Sequence, residues 1–116
     1  MPSPHDTPTC SRQHCTPCRG GIPPLTRAEA AARLAELPGW ELDEPATTLR
    51  RRYPFKNFVA ALSFADRVGA LAEAEGHHPV LTVGWGFCEV ALTTHKIKGL
   101  SANDFILARL IAELKV

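Results

Sequence analysis

The stretch "AEAEGHHPVLTVGWGFCEVALTTH", residues 72–95, holds the reading on which the fold turns. Alanine and glutamate, strong helix formers, carry a helix up to Gly76, a residue that readily takes the left-handed backbone at a helix end. From Pro79 the composition changes to β-branched and aromatic residues, is interrupted at Gly84–Gly86, and resumes through Phe87–Leu92. Two extended runs joined by so few residues can pair only antiparallel, because a parallel pair needs a long crossover. The spacing therefore predicts a hairpin whose second strand is finished by Thr93, Thr94 and His95, so that His95 returns toward the corner at His77 and His78.

Working outward, "KNFVAALSFADRVGALAEAEG" (56–76) reads as the longest helix, with Asn57 as its N-cap and Phe58, Leu62, Ala65, Val68 and Ala72 along one stripe. Before it, "WELDEPATTLRRRYPF" (40–55) contains two extended segments around the turn-like "DEPAT", a first hairpin disturbed at Pro54, which has no amide hydrogen for a ladder. "LTRAEAAARLAELPGW" (25–40) opens with Thr26 three residues ahead of Glu29, a capping-box pair. Ala30, Leu34 and Leu37 then recur at helical spacing until Pro38-Gly39 stops the run. Downstream, Ser101 precedes "ANDFILARLIAELKV" (102–116), where Phe105, Ile106, Leu110, Ile111 and Leu114 give a last amphipathic helix. The order is helix-strand-strand-helix-strand-strand-helix. The simplest packing is a two-layer α+β domain, an antiparallel four-stranded sheet with helices on one face.

Residues 1–24, "MPSPHDTPTCSRQHCTPCRGGIPP", lack any apolar period and read as an irregular arm with a Cys-rich segment ahead of a folded domain at 25–116. The whole chain has 116 residues, 45% of them apolar, and a formal charge of +1 at pH 7, which suits one ordinary globular core. Acids and bases are scattered, so no nucleic-acid footprint is expected; the run Arg50, Arg51, Arg52 reads as a solvated strand edge. No stretch approaches the ~20 apolar residues of a membrane span, and the N-terminus lacks the features of a signal peptide. A cytoplasmic protein is therefore expected, with its four cysteines mostly as thiols.

The corner carries the candidate chemistry. Glu73 stands four residues before His77, a helical spacing that would put both on one face. Imidazole titrates near pH 6.5, which makes histidine the usual group for proton transfer near neutrality. Asp104, three residues after Ser101, can support the start of the last helix or can orient an imidazole. Trp85 and Phe87 can offer a flat apolar wall to a ring or simply belong to the core.

The pattern Glu73-x3-His77-His78-Pro79-x5-Trp85-x9-His95-x8-Asp104 closely resembles the signature of the pterin-4a-carbinolamine dehydratases. The resemblance extends over Leu25–Val116, through "LPGW" (37–40), "YPFKNFVAALSFADRVGALAEAEGHHP" (53–79), "LTTH" (92–95) and "GLSANDFILA" (99–108). "CTPCRGGIPPL" (15–25) is similar to the lead-in of many bacterial members. The resemblance implies an enzyme that removes water from 4a-hydroxytetrahydropterin to give quinonoid dihydropterin in tetrahydrobiopterin recycling, with no metal or organic cofactor. On this reading His77, His78 and His95 are the catalytic residues, with His77 and His95 as the acid/base pair and His78 holding the pterin or sharing in the proton transfer. Glu73 and Asp104 orient the imidazoles, and Trp85 lies against the ring. The resemblance also implies a homodimer or homotetramer.

Two other readings compete. Metal could be held by the three histidines and two carboxylates, or on the arm by Cys10, His14, Cys15 and Cys18, whose Cys-x4-Cys-x2-Cys spacing would otherwise need Cys88 as a distant fourth thiolate. Cys88 alternates within a strand and suits the core better. Relatives on this fold also act as a dimerisation cofactor of a transcription factor or as an assembly factor, so a non-catalytic partner role is the alternative. Retention of His77, His78 and His95 favours the enzyme.

Overall fold

The computed structural model describes residues 22–115. The elements run α1 (Arg27–Leu34), β1 (Glu41–Leu42), β2 (Leu49–Pro54), α2 (Phe58–Glu75), β3 (Val80–Gly84), β4 (Phe87–Leu92), a 3-10 turn (His95–Ile97) and α3 (Ala102–Ala112). The four strands form one sheet in the order β1-β2-β4-β3, and every pairing is antiparallel. This is the α+β architecture expected from the two hairpins. The Cys-rich part of the arm lies outside the described residues.

Alternation along the strands decides which face is covered. Leu49 and Tyr53 of β2 and Cys88, Val90 and Leu92 of β4 are buried, whereas Arg50, Arg52 and Pro54 between and beyond them are exposed. Helix α2 packs on β3 and β4, and α3 packs on α2. An aromatic cluster ties the layers together: Phe64 of α2 lies 4.6 Å from the Tyr53 ring and 5.3 Å from Phe55, and Trp40 meets Tyr53 edge-on at 6.4 Å. Burial raises the Cys88 thiol, so the sulfur is a core atom without thiolate reactivity.

The caps read from sequence are present. Glu29 N–H donates to Thr26 Oγ1 (3.1 Å) and Thr26 N–H to Glu29 Oε1 (2.8 Å), and Ala60 N–H donates to Asn57 Oδ1 (2.8 Å). The apolar stripe of α2 is corrected by the structure. Phe58 and Leu62 are exposed, and the buried face is Ala61, Phe64, Ala65, Val68 and Ala72. The helix is rotated so that Phe64 can reach Tyr53 and Phe55, a long-range contact that spacing within α2 cannot reveal. In α3 the same shift leaves Ile106 and Leu110 half-buried and puts Leu107 and Ala108 beside Phe105 and Ile111 in the core.

The first hairpin is closed by Asp43. Its carboxylate accepts from Thr47 N–H (2.8 Å), the Thr47 hydroxyl (3.1 Å) and Thr48 N–H (3.0 Å). Burial by itself would raise this carboxyl, but the hydrogen bonds from Thr48 and Thr47 outweigh it and hold Asp43 below the ordinary carboxylate value. A depressed folded-state value contributes stability that is present above the unfolded value, near 3.9, and is lost as pH falls through the folded one. Asp43→Ala is thus expected to destabilise by about 1–2 kcal/mol at pH 7. The gap to wild type should shrink at pH 3 when both are unfolded in urea; an equal gap at both pH values would contradict the assignment.

Helix α2 ends as the sequence predicts. Gly76 is in the left-handed region (φ 70°), and its N–H donates to the Ala72 carbonyl at 2.9 Å. A Cβ there would meet nothing within 4 Å. Gly76→Ala is therefore expected to cost about 1 kcal/mol through backbone strain alone, measurable by urea unfolding. No loss would mean that φ is not what demands glycine.

Candidate active site

The turn at Gly76 throws the chain out of the helix, so His77 does not continue its face. The helical spacing read between Glu73 and His77 therefore does not bring them together. His77 instead points at the N-terminus of α3, where its Nε2 lies 2.6 Å from Asp104 Oδ1. The His77 side chain is 10% exposed and Asp104 is 0% exposed. Glu73 approaches the other histidine: its Oε1 is 3.5 Å from His78 Nε2, with the His78 side chain 59% exposed. A pair so solvated contributes little to stability.

Asp104 has two roles at once. As the third residue of α3 it accepts from Ser101 N–H at 2.9 Å on Oδ2, the return arm of a capping box, and the Thr94 hydroxyl donates to the same oxygen at 2.7 Å. The Thr94 and Ser101 hydroxyls are themselves 2.8 Å apart. A buried carboxylate needs such donors, since an unpaired one would cost several kcal/mol.

His95 lies elsewhere than its expected place at the end of a strand. β4 stops at Leu92, Thr94 bridges to Gly99, and His95 starts the 3-10 turn. At the strand end the Thr93 hydroxyl donates to the Thr47 carbonyl at 2.6 Å, with the Gly99 carbonyl a more distant 3.3 Å away. Even so, His95 shares one open cleft of about 420 Å³ with His77, His78, Thr94 and Lys96. That volume falls in the range of small-molecule sites.

Trp85 is not brought to this cleft. Val80 pairs with Ala91 near the histidine corner, and Gly84 pairs with Phe87 at the far end of the hairpin. At ~3.3 Å per residue, Trp85 in the connecting turn sits roughly 15 Å or more away. It is 74% exposed, and Phe87 lies under the Arg52 guanidinium at 3.7 Å. Neither aromatic is core and neither walls the histidine cleft. Thr94 and Lys96, by contrast, border the cleft without having been singled out. Thr94 belongs to the quoted run "LTTH" (92–95), whereas Lys96 is marked in the sequence only by its adjacency to His95.

Among the described residues no three His, Cys, Asp or Glu side chains are arranged to hold a metal ion. The Cys10, His14, Cys15 and Cys18 set falls outside them. No described helix is long and apolar enough to cross a membrane.

With this geometry in hand, comparison with known proteins is specific. Residues 23–114 match the family model described as pterin 4 alpha carbinolamine dehydratase. A Methylococcus capsulatus protein provisionally named a pterin-4-alpha-carbinolamine dehydratase is 53% identical over 109 residues, covering 94% of this chain and 96% of its own. A Cupriavidus pinatubonensis protein of similarly provisional name is 56% identical over 102 residues, 88% of each chain. Among solved structures, a Brucella melitensis protein titled transcriptional coactivator/pterin dehydratase superposes with a TM-score of 0.71 at 29% identity, covering 77% of this chain and 95% of that one. A pterin dehydratase-like protein described as a RuBisCO assembly factor superposes at 0.53 with 18% identity, covering 66% of this chain and 93% of its own, and shares the fold.

Proposed function

Since the chain belongs to the pterin-4-alpha-carbinolamine dehydratase family, we propose that it dehydrates a 4a-hydroxytetrahydropterin, with His77 and His95 as the acid/base pair. The observation that carries this reading is the convergence of His77, His78 and His95 on one cleft, with one imidazole clamped by a fully buried carboxylate. Hydroxide is a poor leaving group and water a good one. One imidazolium gives its proton to the 4a-hydroxyl as the C4a–O bond breaks with its electron pair leaving on oxygen. A second imidazole takes the proton released by the ring, and water and quinonoid dihydropterin result. Each positioned acid or base supplies about 10²–10⁴-fold. No step here calls on a metal or organic cofactor.

Exposure separates His77 from His78, whereas the exposed His95 takes its role from its place in the family pattern and on the same cleft. His77 is held in place and suits proton transfer, which demands fixed geometry. His78, solvated beside Glu73, suits a contact with the incoming ring. Glu73 beside His78 and Asp104 beside His77 are positioning groups. The reading carries with it a place in tetrahydrobiopterin recycling in the cytoplasm and assembly as a homodimer or homotetramer. The test follows the decay of enzymatically generated 4a-hydroxytetrahydropterin with and without the protein; no acceleration would overturn the proposal.

A further inference from the structure

The acid/base assignment leaves one buried hydroxyl at the site unused. Thr94 is 3% exposed, and its oxygen lies within hydrogen-bond reach of both Asp104 Oδ2 and the Ser101 hydroxyl, at 2.7 and 2.8 Å. A hydroxyl has one hydrogen, and an ionised carboxylate only accepts. Thr94 therefore donates to Asp104, and Ser101 donates its hydroxyl hydrogen to Thr94. The Ser101 amide supplies a second donor to the same Oδ2 at 2.9 Å. With Oδ2 occupied twice, Oδ1 is the oxygen presented to the His77 ring at 2.6 Å, and a ring N–H is what fills it. Nε2 then carries a hydrogen in either charge state of the ring, and Nδ1 is the nitrogen left to gain or lose the transferable proton.

We propose that Thr94 is a positioning residue for His77: its hydroxyl fixes the rotation of the Asp104 carboxylate, which in turn holds the imidazole in a single tautomer and orientation. The hydroxyl is not needed to close its own turn. Thr94 N–H already donates to Gly99 O at 2.8 Å, and Gly99 N–H returns to Thr94 O at 3.4 Å. Nor does packing explain it, because valine has the same shape. Burying a hydroxyl where a methyl would fit has a cost that only its hydrogen bonds offset. Without Thr94 the carboxylate would keep one donor on Oδ2 and could turn about its Cβ–Cγ bond. The His77 ring would then lose its fixed acceptor, and small displacements of a reacting group can reduce rate steeply. The lock joins three segments distant in sequence: the corner after α2, the bend after β4, and the first turn of α3.

The kinetic consequence rests on the dehydratase reading, whereas the hydrogen-bond order does not, so the test uses both. In the full chain labelled with ¹⁵N and free of ligand, the His77 Nε2–H resonance is assigned by its absence in His77→Gln, and its exchange with water is measured. Exchange should be slow in wild type and in Thr94→Ser, and about tenfold faster in Thr94→Val. In the dehydration assay, kcat should fall about tenfold in Thr94→Val with KM within about twofold, and Thr94→Ser should restore it. Should Thr94→Val not accumulate as folded protein, Thr94→Ala, which adds no bulk, carries the same readouts. The inference is overturned if Thr94→Val exchanges as slowly as wild type, if the wild-type Nε2–H exchanges too fast to detect, or if Thr94→Ser fails to restore slow exchange. Wild-type protein that does not accelerate dehydration, together with faster exchange in Thr94→Val, would remove the dehydratase reading and leave the role of Thr94 in holding His77.

Discussion

Changing His77 to alanine is expected to lower kcat/KM for dehydration of 4a-hydroxytetrahydropterin by about 10²–10⁴-fold, the range supplied by a positioned general acid or base. That corresponds to roughly 3–5 kcal/mol of transition-state stabilisation. The size of the effect follows from placement: the ring is nearly buried and fixed at 2.6 Å to Asp104, so the protein sets the geometry in which its proton moves. Alanine would also strip Asp104 of one of its partners, and lost activity could then reflect lost structure. His77→Gln separates the two effects. Its amide N–H can donate to the Asp104 carboxylate, but it does not titrate near neutrality, so it should preserve the melting temperature better than alanine and yet be as inactive. His95→Ala should show a comparable loss, and His78→Ala should act more on KM. Full activity in both His77→Ala and His95→Ala would sink the assignment of the pair.

The largest effect on stability is expected from Phe64→Ala, about 3–5 kcal/mol. Phe64 is fully buried where α2 meets the sheet, with the Tyr53 and Phe55 rings at 4.6 and 5.3 Å. Truncation removes the apolar burial and leaves a cavity that the flanking strands, pinned by their ladders, cannot collapse to fill. For a domain of this size the melting temperature should fall by roughly 15 °C or more. Since small domains have only ~5–15 kcal/mol of total stability, the variant should sit close to unfolding at physiological temperature. Phe64→Leu should recover most of the loss. A change under about 1 kcal/mol for alanine would mean that the aromatic cluster does not anchor α2 to the sheet.

These two residues mark how differently site and core could be read. His77 stood out because its neighbours are chemically conspicuous and its spacing to His95 and Asp104 matches a family pattern. Phe64 did not, because "NFVAALSFADRVGALAEAE" is apolar enough to support more than one stripe, and Phe58 and Leu62 fitted helical spacing equally well. Periodicity establishes that α2 is amphipathic; the phase depends on which residues find partners on the sheet.

Local chemistry alone determined a good deal here: both hairpins, the caps at Thr26, Asn57 and Ser101, the stop at Gly76, and so the α+β order of elements. Each rests on backbone preferences and hydrogen bonds between residues at most a few positions apart, which is the range over which sequence spacing reports geometry. The tertiary structure alone decided which carboxylate meets which imidazole. Glu73 and His77 were paired by helical spacing, but the left-handed turn at Gly76 breaks that relation and hands His77 to Asp104, 27 residues away. His95 came to start a 3-10 turn beyond the strand end, next to a threonine bonded to the first hairpin. Thr94 acquired its place only when β4 and α3 converged. Contacts such as these depend on how whole elements pack, because the energy of burying shared faces sets helix rotation and strand end together, and no spacing within a single element records the outcome.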